Sequence, residues 1–251
     1  MADFFEDFKG ATTFSISWIN EGKAWLYLGL MLALFFATWI GSFLSMLLSA
    51  ISPLLYLLSF FPLILIANIV SFYLSAKLML LALEKRGLPF ATSLNIGELF
   101  NLLLLAILSA IYAVFSLMEI RFLLILLAVV ISAVLGFAVN PIFFILTFFL
   151  YIGYMAIVMY NSARLSFSFS IFLSKGGSKT QSINDSWAIT QGNVLKVMGL
   201  FFLYGILVGL ATLLSFGLLA LPATVSLVFF NVAVYSNLLK EWESALKKTS
   251  E

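Results

Sequence analysis

The stretch RLSFSFSIFLSKGG, residues 164–177, decides how the chain folds. From Leu165 to Leu173 serine alternates with large apolar residues, the two-residue period of a half-buried strand. A strand beside a membrane needs partners for its N–H and C=O groups. The only other alternating stretch is Thr13–Trp18, so the strand reading amounts to a two-stranded ribbon. A helix explains more. Ser162, Ser166, Ser170 and Ser174 stand four apart and share one helical face, on a helix continuing out of the apolar run before it. Their hydroxyls can bond back to carbonyls one turn earlier. Phe167, Ile171 and Phe172 would then meet lipid or other helices, and Arg164 would snorkel at a membrane boundary.

The rest of the chain sets that choice. Of 251 residues, 63% are hydrophobic and 10% charged, against about 25% charged in a soluble domain. Too little polar surface exists to cover a water-soluble body, so an integral membrane protein is expected. The net charge of +2 gives no case for nucleic acid. There is no cysteine and no histidine, so thiolate or imidazole metal sites and Cys or His catalysis are excluded. The first residues carry Asp3, Glu6 and Asp7 where a signal peptide would be cationic, so the first span is expected to be retained.

Four charge-free runs stand out: Ala24–Ala76, Leu99–Met118, Phe122–Ala163 and Val197–Leu239. A crossing helix takes about 20 residues. Ser52-Pro53, Asn140-Pro141 and Pro222 supply the breaks, because proline lacks an N–H and restrains its predecessor. Seven segments follow, but seven crossings divide Lys and Arg five to eight. If only two of the three middle segments cross, the division becomes twelve to one, with Arg121 alone outside. The expected fold is therefore an all-α polytopic bundle forming one domain, 1–251, with both termini cytoplasmic. Six spans are favoured, at about 25–48, 54–76, 99–118, 141–163, 197–219 and 223–239, with 122–139 re-entrant or peripheral. The alternatives are that 99–118 lies on the inner face while 122–139 crosses, or that seven spans cross. Interfacial helices are expected at both ends and before the last hairpin. Phe4, Phe5, Phe8 and Ala11 form one such face, and Leu238, Leu239, Trp242, Ala245 and Leu246 another.

Ser15–Leu30 and Ser182–Leu200 share a Ser-Ile, Ser-Trp and glycine spacing, each followed by a hydrophobic hairpin, as in an internal repeat. In the second unit Asn184 or Asp185 would cap a short inner-face helix and Gly192 would end it. The candidate cytoplasmic elbow, in contact with lipid headgroups, comprises Arg164, Lys175, Lys179, Ser186, Trp187, Thr190, Gly192 and Lys196. Gly205 and Gly209 form a GxxxG expected to pack against a neighbour in the same chain, with a dimer face as the alternative, and Ser132-x-x-x-Gly136 is a weaker case. Asn68, Asn101, Asn140, Asn161 and Asn231 are expected to hydrogen-bond between helices. Glu119 and Arg121 would pair at the outer surface, and Glu98 would sit at a helix start.

The order of a hydrophobic span, Arg164-Leu165-Ser166, a short polar loop, then Ser186-Trp187-Ala188-Ile189-Thr190-Gln191-Gly192-Asn193 leading into a span, resembles the membrane domain of glycerophosphodiester phosphodiesterases and related six-span proteins. The match is clearest over about 160–205, with Ser170 and Lys175 where that family often has a proline and an acidic residue. The resemblance implies the membrane fold without the hydrolytic domain, which has no counterpart here.

No ionisable residue sits near the centre of an expected span, which argues against a carboxylate proton relay. The function expected is that of a non-enzymatic multi-pass protein of the cell membrane, without cofactor, that contacts or moves lipid or another small amphiphile. The alternatives are a structural subunit or anchor for a protein partner, self-association included, and, less favoured, an enzyme using the carboxylates Glu84, Glu98, Glu119 and Asp185.

Overall fold

The computed structural model describes residues 2–90, 94–117, 120–215 and 217–250. It is all helical, with no strand among the described residues. The helices are α1 (Ala2–Ser15), α2 (Gly22–Ser49), α3 (Pro53–Lys85), α4 (Ile96–Leu117), α5 (Ile120–Ala138), α6 (Ile142–Leu165), α7 (Ser168–Lys175), α8 (Lys179–Thr190), α9 (Val194–Leu214) and α10 (Ala220–Ser250). A 3-10 turn, Ser17–Asn20, joins α1 to α2. Five of these stretches are long and apolar enough to cross a membrane: α2, α3, α6 with α7, α9 and α10. The Glu119–Arg121 pair expected from the sequence lies outside the described residues and side chains.

The prolines act as their chemistry requires. Ser52 caps α3, its hydroxyl accepting from the Leu54 N–H at 3.2 Å, and Pro53 takes the first helical position, where no N–H is needed. Asn140 does the same for α6, accepting from Ile142 N–H at 2.9 Å. Pro222 departs from expectation. It lies inside the first turn of α10, which starts at Ala220, while α9 ends at Leu214. A first-turn proline and a helix-breaking proline look alike in sequence.

The quoted stretch is helical, with a kink. α6 ends at Leu165, Ser166 and Phe167 turn, and α7 runs to Lys175. The elbow is also the most enclosed part of the chain. Phe167, Ser168, Ser170, Ile171, Phe172, Leu173 and Ser174 are all buried, so Phe167, Ile171 and Phe172 face protein rather than lipid. Ser162, in contrast, is exposed.

The elbow packs against α8, α3 and α4 and is hydrogen-bonded to α10. Ser170 donates to Asn231 Oδ1 (3.1 Å), the Asn231 amide donates to the Ser166 carbonyl (3.2 Å), and the Ser174 and Tyr235 hydroxyls lie 3.1 Å apart. On its other faces α10 holds Trp18, whose indole donates to Ser226 Oγ at 2.8 Å, and Arg86, which donates to Ser236 and Asn237. It also stacks Phe230 on Tyr204 of α9, with centroids 3.9 Å apart. α1 packs between α9 and α10 through Phe4, Phe8 and Ala11, with Phe5 turned outward. The amphipathic C-terminal stretch is simply the last turns of α10, not a separate helix. Together these elements form a close-packed body.

Two long hairpins leave this body. α2 and α3 approach closely at Gly41, where a Cβ would meet Leu63 at 2.5 Å. α5 and α6 approach at Gly136, where it would meet Phe144 at 2.9 Å, and Thr147 donates to Ser132 Oγ at 2.9 Å. In that antiparallel register Ile120 falls level with about Tyr160, so α5 is a full arm. α4 meanwhile lies beside α6, α7 and α8, with Leu102 and Leu105 buried.

The α2–α3 arm outreaches the α9–α10 hairpin. α3 and α10 run side by side, Arg86 meeting Ser236 at one end and Ser71 sharing a groove with Leu221 at the other. In that register the start of α10 is level with about Val70, and α3 reaches about 26 Å further, at 1.5 Å per residue. α6 likewise runs about 36 Å back from Ser166, against about 16 Å for α10 from Asn231 to Ala220.

Candidate functional site

The elbow places several of the expected residues together. Arg164 ends α6, and its guanidinium lies 4.0 Å from the centroid of Trp187 on α8 and 5.8 Å from that of Tyr160. The backbone is tied at the same point, since Ser186 donates to the Arg164 carbonyl at 2.6 Å. Thr190 is buried and donates to the Ser186 carbonyl at 2.7 Å, which fixes the α8 turn that carries Trp187.

α8 is set by residues other than those expected. Ser178 caps it, accepting from Gln181 N–H at 3.2 Å, so Asn184 and Asp185 lie in the helix interior. Asp185 instead faces Lys175 at 4.0 Å, and the Lys175 ammonium lies 5.5 Å over Trp242. Lys179 opens the helix. Gly192 follows it with φ +81°, a left-handed conformation that glycine adopts without strain, and the chain turns into α9.

The elbow also holds three N–H donors with no partner among the described residues. They are Asn161 Nδ2, Arg164 Nε and Trp187 Nε1, each shut from solvent. Most buried polar groups are satisfied, so a cluster of three calls for an explanation. Among the described residues Arg164 has no carboxylate within ion-pair distance. A half-buried cation stacked between aromatic rings, with donors around it, suits an oxyanion better than a metal. No cluster of three metal-ligating side chains occurs among the described residues.

Lys196 belongs elsewhere. It pairs with Asp7 of α1 (2.6 Å) and Glu241 of α10 (2.7 Å), and the Asn237 amide donates to Asp7 at 3.1 Å. Arg86 joins this group through Asn237, and Lys85 pairs with Glu21 at 2.7 Å. Burial moves Arg86 below its ordinary value, yet a guanidinium remains charged in any working pH range. These charges are structural clamps holding α1, α3, α9 and α10 in register.

Two packing expectations reverse. A Cβ on Gly205 or Gly209 would meet nothing within 4 Å, so the GxxxG packs on no neighbour among the described residues. The weaker Ser132-x-x-x-Gly136 pattern is the one that packs. Of the five asparagines, Asn231 bridges two helices, while Asn68 bonds within its own helix, Asn140 caps and Asn161 Nδ2 has no partner. Glu98 lies in the first turn of α4, where the Asn95 side chain accepts from its N–H at 2.9 Å.

A concavity of about 350 Å³ opens between the α1–α2 junction and the α9–α10 hairpin. Another, about 300 Å³, is a groove between α2, α3 and the start of α10. Neither was legible in the sequence, because their walls come from segments far apart in the chain. No family model, curated protein or solved structure matches this chain.

Proposed function

We propose that this chain is a multi-pass membrane protein that binds phospholipid headgroups at its inner elbow and thereby contacts or moves lipid. The observation that carries the proposal is Arg164. Among the described residues its charge has no carboxylate partner, and it is stacked on Trp187 with two other partnerless donors nearby. Small rotations of Arg164 and Trp187 would turn these N–H groups toward a phosphate oxygen, relieving the cost of burying them unpaired.

The membrane placement is part of the same proposal. Trp25, Tyr73 with Lys77, and Tyr160 with Arg164 fall at one level, since Trp25 packs on Trp18 and Trp18 bonds Ser226. Aromatic and basic residues favour such a boundary. From there α3 has about 30 Å to its start and α6 about 27 Å, matching a hydrocarbon core of about 30 Å. α2, α3, α5 and α6 then cross. α4 lies at the inner boundary, and the α9–α10 hairpin dips about 10 Å into one leaflet. With the start of α5 inside, Arg121 joins the other twelve basic residues on one side.

The test is reconstitution in liposomes with phosphatidylcholine or an anionic phospholipid. Retention of phospholipid through purification, reduced by Arg164→Gln, supports the reading. No retained lipid, with no flux of labelled lipid, overturns it. The outward Gly205 and Gly209 favour a second reading, an anchor for another helix. Cross-linking in native membranes at Leu213 would show that partner.

A further inference from the structure

We infer that the cavity between the α1–α2 junction and the α9–α10 hairpin holds a neutral, hydroxyl- or ester-bearing amphiphile drawn from the inner leaflet. This rests on the membrane placement above but not on the Arg164 elbow.

The lining is graded in polarity. Toward the body lie Thr12, Ser15, Trp18, Tyr204 and Ser226, with Ile16 and Ile19 beside them at the rim. Tyr204 donates to Ser15 at 2.9 Å and Trp18 donates to Ser226, while Thr12 Oγ1 is buried with no partner. Toward the hairpin turn the same two helices offer Leu207, Val208 and Ala211 on α9, and Leu219, Pro222 and Ala223 on α10. The polar end stands at the level of the Trp18–Trp25 pair, and the apolar end points to the membrane interior. A lipid in a leaflet has the same gradient in the same direction. That correspondence identifies the occupant as an amphiphile with its head at Thr12 and a chain along α9.

The chemistry of the head follows from what is missing from the walls. Among the described residues no Lys, Arg, Asp or Glu lines the cavity. A phosphate or carboxylate there would be a charge without a partner, which is costly in a low-dielectric site. A hydroxyl or ester can pair with the partnerless Thr12 hydroxyl once a rotation of that side chain turns its buried oxygen toward the cavity. The volume, about 350 Å³, is at the small end for ligand sites, which suits one chain and a small head rather than a whole phospholipid.

The full protein in phosphatidylcholine nanodiscs, doped with a diazirine-bearing monoacylglycerol, tests this. Irradiation followed by peptide mapping is expected to label 207–223. Ala211→Trp, which fills the mouth, is expected to abolish that labelling. Thr12→Val is expected to weaken it about three- to tenfold, the worth of one hydrogen bond. Leu213→Trp, on the exposed face outside the cavity, is expected to label as the parent does, and equal thermal midpoints establish that each variant is folded. A diazirine fatty acid at pH 8 that labels the same peptides equally well would overturn the neutral head. Labelling that ignores Ala211→Trp in a folded variant would overturn the site. If phospholipid is still retained at the Arg164 elbow in that case, the cavity inference alone has failed.

Discussion

Ser170 of α7 donates to Asn231 of α10 at 3.1 Å, and the same asparagine reaches back to the Ser166 carbonyl at 3.2 Å, so one side chain grips the kink from both sides. The Ser166–Phe167 turn interrupts helical bonding between α6 and α7, and Asn231 replaces part of what is lost. Asn231→Leu is expected to cost about 1–3 kcal/mol, since it strands a buried carbonyl and hydroxyl. Thermal unfolding in detergent reads this. An unchanged midpoint would mean that apolar packing alone holds the elbow.

Arg86 lies where α3 meets α10, bonded to Ser236 and Asn237, with the Phe14 ring 5.0 Å away. Asn237→Ala removes an acceptor from Arg86 and a donor from Asp7 at once. It is expected to destabilise more than Arg86→Met, which removes the charge together with its need for partners. Equal losses in denaturation midpoints would refute that ordering.

Gly136 and Gly205 look alike in sequence and differ in surroundings. Gly136→Val would drive a side chain into Phe144, and the α5–α6 arm is expected to separate, with loss of monodisperse protein on size exclusion. Gly205→Val enters open space and is expected to leave purified protein unchanged, apart from about 1 kcal/mol or less of helix propensity. Failure of Gly205→Val in membranes alone would reveal a partner helix on that face.

The absence of cysteine allows a direct test of depth. Single cysteines at Ser52 and Val139, on the arm tips, are expected to react with an impermeant maleimide from outside. Ser178→Cys is expected to react only after permeabilisation. Leu218→Cys, in the α9–α10 turn, is expected to resist from both sides, because the proposed placement ends that hairpin within the hydrocarbon. External reaction at Leu218 would show a hairpin that crosses completely.

Much of the scaffold was readable from local chemistry. Prolines at 53 and 141 marked helix starts because each stands beside a residue that can cap. The elbow was readable as a helix because a four-residue serine spacing serves both periods and the flanks are helical. The hub was not readable. Ser226, Asn231, Tyr235, Ser236 and Asn237 each look incidental in an apolar run, and their roles depend on partners up to 230 residues away. Gly205-x-x-x-Gly209 misled for a related reason, because a pattern names a face but not what covers it. Depth was hidden too, since hydropathy counts apolar residues and says nothing of the register between helices.

The unequal reach of the hairpins has a consequence for the bilayer itself. In the placement proposed above, with α2, α3, α5 and α6 passing through both leaflets and the α9–α10 hairpin and α4 confined to the inner one, the protein would displace more area on one side than on the other. A body of that shape is a cone in cross-section. It relaxes where the inner monolayer has spare area, and lipids above the α9–α10 turn must lean inward to fill the space left by the shorter hairpin. In that placement the fold would couple its position in the plane of the membrane to local curvature, without any moving part.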